Sequence, residues 1–333
     1  MTAEQTSLRR QSGAALLIVL LLVATLSFIV MSISDRMTLA SSRAANARVR
    51  AELLWRAAGV EALAAGAIEA AVKTAGFKFA LENPFFAKAS EIPMDGGGAL
   101  IAFKDATVCF NVNSLARRDA RQGSAQADPK LAELERLFSL LDLEDDDPRR
   151  LAAVIADWID ADNFETPQGA EDGYYSSLPA PYRTGGGSIA DLSELRAAAD
   201  VTAEVYRQIR PYLCALPGAD PAPLNINMAT KDAAPLLAAL LGDDVPLAAV
   251  EAAMENRPAG GYASIDQFWA GAAFAGRVIS EEARGRVKLK SQYIEADAAV
   301  RFHDQRVAVR LVFEVSEDGD ARLLSRRLGP VFE

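Results

Sequence analysis

The chain has 333 residues, half of them apolar, and a net charge of −10 from 35 basic and 45 acidic side chains. That balance argues against a nucleic-acid partner, whose phosphates need clustered lysine and arginine. The apolar half supplies cores for two compact units beyond any anchor.

Near the start Arg9 and Arg10, opposed only by Glu4, precede Gly13 and the uncharged run Ala14–Ser34. A helix of about 20 apolar residues crosses a hydrocarbon core of roughly 30 Å. Positive residues stay on the cytoplasmic side, so the N-terminus is expected inside and the bulk outside. The competing interpretation is a secretory signal peptide cut near the small residues Ala40 to Ser42. Its apolar core would be shorter than this one. No proline occurs before Pro84, and Ala57, Val60, Ala64, Ala67 and Ala71 recur at steps of three and four. One long helix is therefore predicted from about 14 to 75, capped by Gly76, with its last third packed on a globular domain.

Residues 84–98 are rich in Pro and Gly and are predicted to form a loop. Ala99 to Asn113 is predicted to be a short hairpin with Asp105 near its middle. Asp128-Pro129 and Asp147-Pro148 each place a capping acid before a proline, so helices are predicted at 129–141 and 148–158. Further helices are expected at 189–198, 202–213, 230–241 and 245–255, with two shorter ones before Lys290. A weak repeat runs through this stretch: Phe110-Asn111-Val112-Asn113 returns as Leu224-Asn225-Ile226-Asn227, and Leu192-Ser193-Glu194-Leu195 resembles Ile265-Asp266-Gln267-Phe268. Two related helical units, 110–216 and 224–290, would explain it. At the C-terminus Val307, Val309, Leu311, Phe313 and Val315 alternate as a half-buried strand does. Ile294–Phe302 precedes it, and a third strand, Arg322–Leu328, follows the Asp318-Gly319 turn. Strands therefore flank the helical stretch on both sides, as in an insertion within one α/β domain.

Cys109 and Cys214 either form a bridge, as an extracytoplasmic chain favours, or remain two buried thiols. A bridge would close a long loop, worth on the order of 4 to 5 kcal/mol in the chain-entropy model.

The most informative polar stretch is acidic: Asp157, Asp160, Asp162, Glu165, Glu171 and Asp172. Calcium takes six to eight oxygens, and Asp160, Asp162 and Glu171 fall at the first, third and twelfth places of an EF-hand count. Phe164 and Glu165 break that motif. The residues alone thus leave two alternatives, a cation site on another loop path or a solvated loop with capping acids. Capping and solvation suffice for the acidic run Glu144 to Asp147. Catalytic interpretations lack partners: His303 sits in a predicted turn with no paired nucleophile, Gly185–Gly187 precede Ser188 rather than a phosphate-loop lysine, and Asp160 and Asp162 are too close for a glycosidase pair.

Gly13 before Ala14 and a long apolar helix resembles the type IV prepilin class, cut by a prepilin peptidase and methylated on the new N-terminus. Most members carry glutamate at the fifth mature position, where this chain has Ile18. That loss resembles the minor pseudopilin K family of type II secretion (general secretion pathway protein K). So do the stretches DWIDAD…PQGAEDGYYSSLPAPYR, LSEL…PYLCALP and LNINMAT. The resemblance covers nearly the whole chain.

It implies an α+β fold: a pilin-like long N-terminal helix, transmembrane in its first part, on an antiparallel sheet, with a large α-helical domain inserted between strands. The expected divisions are a leader 1–13, a membrane part 14–34, a periplasmic helix 35–76, a pilin-like domain 77–109 and 291–333, and an insertion 110–290. It also implies cleavage at Gly13 and methylation of Ala14. Calcium would lie in the inserted domain, carried over to Asp160, Asp162, Glu171 and Asp172 with Asp157 and Glu165 in reserve. The implied role is a non-enzymatic inner-membrane tip subunit. Its partners would be minor pseudopilins I and J, then H and major pseudopilin G, with prepilin peptidase and the inner-membrane platform. Two alternatives remain, a helix-hairpin-helix DNA receptor suggested by the Asn-x-Asn units, and a membrane-anchored calcium-dependent hydrolase.

Overall fold

A computed structural model of the chain describes residues 4–76, 78–116, 128–143 and 147–329. Helix α1 runs unbroken over Glu4–Ala75, starting ahead of the expected residue 14. From Ala15 it is long and apolar enough to cross a membrane. Its apolar stripe buries Leu53, Ala57, Val60, Ala64, Ile68 and Val72. The stripe moves off Ala67 and Ala71 onto Ile68 and Val72 because a helix turns every 3.6 residues. Gly76 ends it with φ +59° and a bond from its N–H to the Val72 carbonyl, the left-handed cap that glycine adopts without strain.

The chain continues through α2 (Pro84–Ala87), β1 (Ser90–Met94), β2 (Gly97–Asp105) and β3 (Phe110–Asn111). The loop predicted at 84–98 is thus a helical turn plus an edge strand. Pro93 fits there because an edge position requires no N–H. β2 turns back on β1, not forward around Asp105. Asp105 ends the strand instead of turning it: its carboxylate accepts from Thr107 N–H at 2.6 Å and from the Ser291 hydroxyl.

The helical stretch comprises α3 (Pro129–Leu140), α4 (Pro148–Ile159), α5 (Asp172–Ser176), α6 (Ala203–Ile209), β4 (Leu213–Cys214), β5 (Leu224–Asn225), α7 (Ala234–Leu241), α8 (Leu247–Glu255), α9 (Ile265–Trp269), α10 (Glu281–Arg286) and β6 (Val287–Lys288). Asp128 and Asp147 cap α3 and α4 as expected, each accepting from the second helical N–H. Residues 144–146 of the acidic run lie outside the described residues. The chain ends with β7 (Tyr293–Phe302), β8 (Gln305–Val315) and β9 (Ala321–Gly329).

The sheet is antiparallel in the order β1-β2-β7-β8-β9, so the helical stretch leaves after β2 and returns into its neighbour β7. One face, with Ile101, Phe103, Ile294, Ala298, Val309 and Leu311, packs on the α1 stripe. The other face is polar: Arg310 Nε lies 2.7 Å from Asp297 and Lys104 Nζ lies 2.8 Å from the same carboxylate.

The two ends of the sheet differ. Arg56 stacks over Phe302 at 4.2 Å, so that end faces the membrane segment. Asp105 and Ile294 pair at the other end, near the close of α1. There Leu81 N–H donates to Asn227 O, and Lys78 Nζ to Ala263 O. The inserted domain is therefore stacked on the far end of α1, with its own apolar core.

Inside the insertion the repeat is structural. β3 pairs with β4, and β5 with β6, both parallel. Asn113 accepts from Ile189 N–H at 2.8 Å, and Asn227 accepts from Tyr262 N–H at 2.8 Å. Each clamped loop leads into a turn whose Glu194 or Gln267 reaches back to the N–H of Ala190 or Ala263. Arg286 of the second unit pairs with buried Glu133 of the first. Cys109 and Cys214 are joined by a disulfide at the β3–β4 pairing.

Candidate metal centre

The last turn of α4 carries Asp157, and Asp160 is its C-cap. Three residues apart on a helix, the two share a face. Glu171 is the N-cap of α5, with one carboxylate oxygen accepting from the Asp172 N–H at 3.2 Å. One oxygen from each of Asp157, Asp160 and Glu171 lies within 4.8 Å of the others. All three are buried: Asp157 and Asp160 are 0% exposed and Glu171 is 5% exposed.

The intervening loop is folded to permit this. Thr166 N–H donates to Asp157, and Gly169 N–H closes onto Thr166 O at 2.7 Å. Gly169 then lies directly against the Asp157 carboxylate. Trp158 packs edge to face on Tyr175 and Tyr182 beside the loop, and the Tyr175 hydroxyl accepts from Ala199 N–H at 3.0 Å.

The electrostatics call for a proton or a cation. Burial pushes the Glu171 carboxyl up to about 7, and the charges of Asp157, Asp162 and Asp172 push the same way. Its Oε1 is buried and accepts no hydrogen bond among the described residues. Like charges this close cannot all stay ionised without a proton or a counter-ion. Calcium ligands sit at 2.3–2.6 Å, so opposed ligand oxygens lie up to roughly 5 Å apart, which matches this cluster. An all-oxygen set suits a hard ion rather than zinc or copper. The donor set and the orphaned oxygen fit calcium.

Of the four residues carried over by resemblance, the structure brings together Asp160 and Glu171. Asp157, held in reserve, completes the cluster. Asp162 is outside it, because its Oδ1 accepts from Phe164 N–H at 2.8 Å and shapes the loop. Asp172 is also outside it, turned to Thr184 N–H at 3.0 Å and to Arg183 at 3.8 Å. Glu165 is exposed. The signal for Asp157 was its spacing from Asp160 on a helix already predicted to reach Trp158.

At the other end of the molecule, Gly13 and Ala14 lie within the unbroken α1. Ile18 is 62% exposed on the apolar segment.

Two family models described as type II secretion system protein K match residues 108–218 and 224–288. A type II secretion system protein K from Pectobacterium carotovorum is 35% identical over 259 residues, 77% of this chain and 78% of the relative. The chain belongs to the type II secretion system protein K family. A protein K from Aeromonas hydrophila is 31% identical over 97% of this chain and 98% of its own length. A protein K from Pseudomonas aeruginosa is 29% identical over 96% and 94%. A chain in the crystal structure of the GspK-GspI-GspJ complex from the enterotoxigenic Escherichia coli type 2 secretion system matches with TM-score 0.73 and 24% identity. It covers 86% of this chain and 99% of that one. That likeness shows that the protein K fold described above, helix, sheet and helical insertion, is shared.

Proposed function

We propose that this protein K is a minor pseudopilin at the tip of the type II secretion pseudopilus, where it starts and caps assembly for export across the outer membrane. The observation that carries this is the position of the insertion. It is stacked on the end of α1 away from the membrane segment, where Leu81 bonds to Asn227. A bulky domain at that end blocks a further subunit above, while the sides of α1 stay open for helices below.

Ile18 fits the same position. A buried N-terminal amine in a helical filament needs an acidic partner, since an unpaired charge in an apolar core is costly. The acid of a subunit entering below can meet the amine above it. The topmost subunit has no amine above, and an apolar residue then suits lipid and bundle better than a carboxylate.

The chain is placed in the inner membrane with its N-terminus cytoplasmic and its bulk periplasmic, cut after Gly13 and methylated on Ala14. Its direct partners are minor pseudopilins I and J, by likeness to the GspK-GspI-GspJ assembly. Minor pseudopilin H and major pseudopilin G follow. Calcium at Asp157, Asp160 and Glu171 holds the first unit of the insertion in shape, and the role is structural rather than catalytic.

N-terminal mass spectrometry of chain recovered from membranes tests this. The expected product starts at N-methyl-Ala14, and Gly13→Val blocks its formation. An intact Met1, a cut near Ala40, or normal trimming of the Gly13 variant overturns the assignment.

A further inference from the structure

A cleft of about 300 Å³ opens between the polar face of the sheet and the first unit of the insertion. It shares no residue with the carboxylate cluster. Val312 and Arg327 come from the sheet side, and Asp191, Arg210 and Leu213 from the insertion. The disulfide Cys109–Cys214, Val108 and Leu216 lie on its wall, so apolar side chains share the cleft with charged ones.

The cations lining it are not equivalent. Lys104 and Arg310 are committed to the sheet carboxylates Asp297 and Glu295. Arg327 reaches across the cleft to Asp191, which is also the N-cap of the turn Leu192–Ala197. Arg210 is exposed and has no carboxylate within ion-pair distance among the described residues. A chain of net charge −10 therefore presents the Arg210 guanidinium at a partly apolar cleft that Arg327 also lines, bridged to Asp191. Pockets that bind small groups have this form, with apolar walls and a few converging polar groups. Guanidinium forks are suited to planar carboxylates.

We propose that this cleft binds an amphipathic carboxylate, with its apolar part against Val108, Leu213 and Leu216 and its carboxylate on Arg210 and Arg327. The ligand competes with Asp191 for Arg327. Because the walls belong to two bodies, an occupied cleft exchanges the direct Asp191–Arg327 bridge for one made through the ligand. Two sources supply such a group, the C-terminal residue of a polypeptide and a free branched organic acid.

The test uses the full chain in detergent and isothermal titration with three probes: acetyl-Ala-Ala-Leu with a free C-terminus, the same peptide as its amide, and 4-methylpentanoate. The peptide acid should bind at least about tenfold more tightly than the amide, a difference of roughly 1.4 kcal/mol. Arg210→Gln should weaken the acid by a similar factor. Asp191→Asn should tighten it, since asparagine keeps the N-cap acceptor while releasing Arg327. Tighter binding of the peptide acid than of 4-methylpentanoate identifies a chain terminus as the source, and equal binding identifies the free acid. Equal affinity for acid and amide, no binding of either acid, or unchanged affinity in both variants overturns the proposal.

Discussion

Gly169 lies so close to Asp157 that a Cβ at position 169 would come within 1.9 Å of Asp157 Oδ2. Only glycine lets the loop fold back onto α4 and leave that carboxylate beside Asp160 and Glu171. Gly169→Ala should therefore push the carboxylate out, with an overpacking cost of about 1–3 kcal/mol. The measurement is the melting shift between calcium and chelator. We expect the variant to lose that shift while remaining folded, and retention of the wild-type shift would refute the role of Gly169.

The cluster separates residues that composition alone cannot. Asp157→Asn and Glu171→Gln should each abolish most of the calcium-dependent rise in melting temperature, because each removes a charge from the group of three. Asp172→Asn should keep most of it, since that side chain is occupied by Thr184. Equal losses in all three variants would mean that Asp172 is a ligand after all.

Glu171 sets the pH dependence. In the metal-free protein its carboxyl is pushed up to about 7 from an ordinary 4.5. Between those values the unfolded chain has lost the proton that the folded chain keeps, so stability through this group falls as pH rises. Calcium bound at the cluster would hold the carboxylate ionised and remove that loss. The melting difference between calcium and chelator should accordingly be small near pH 5 and largest above pH 7. A difference that does not change between pH 5 and 8 would be inconsistent with a proton-for-calcium exchange at this site.

The helices of the insertion were legible because their signals are local: Asp128 and Asp147 cap before proline, and apolar residues repeat with helical period. The strands β7 to β9 were legible from alternation and the Asp318-Gly319 turn. What failed was long-range. Asp105 read as a turn residue, yet its partners Ser291 and Asn225 lie far along the chain, and they make it a strand terminus. The two-residue strands β3 to β6 carry no period at all and exist only through pairing. At the candidate metal centre the acids were visible, but their selection depends on Thr166, Thr184 and Gly169, whose positions follow from the fold of the loop.

The repeated asparagines give a prediction about the insertion as a unit. Asn113 donates to Ile189 O and Leu216 O at 2.9 and 3.0 Å, and Asn227 donates to Tyr262 O at 3.1 Å. Both are buried. Each buried partner left unmade costs about 1–3 kcal/mol. Asn113→Ala should destabilise more than Asn227→Ala in urea titrations, in line with its extra bond. The reverse order would show that the second unit relies on its clamp more than the first.

Only the first unit has a covalent staple. Asn111 lies opposite Cys214 in the β3–β4 pairing, whereas Asn225 lies opposite Lys288 in the second unit. The double variant Cys109→Ser, Cys214→Ser opens a loop spanning 105 residues, for which chain entropy assigns about 4–5 kcal/mol. That loop contains α3, α4 and the carboxylate cluster, so the loss should fall on the first unit. Trp158 reports on this unit and Trp269 on the second, and each packs among its own aromatics. Urea titrations followed in Trp55→Phe/Trp158→Phe and Trp55→Phe/Trp269→Phe backgrounds separate the two signals. The staple variant should bring the Trp158 transition to lower urea than the Trp269 transition, and added calcium should recover part of the gap. Coincident transitions shifted together would mean that the Glu133–Arg286 pair and the shared core bind the two units into one cooperative body, with the staple acting on both.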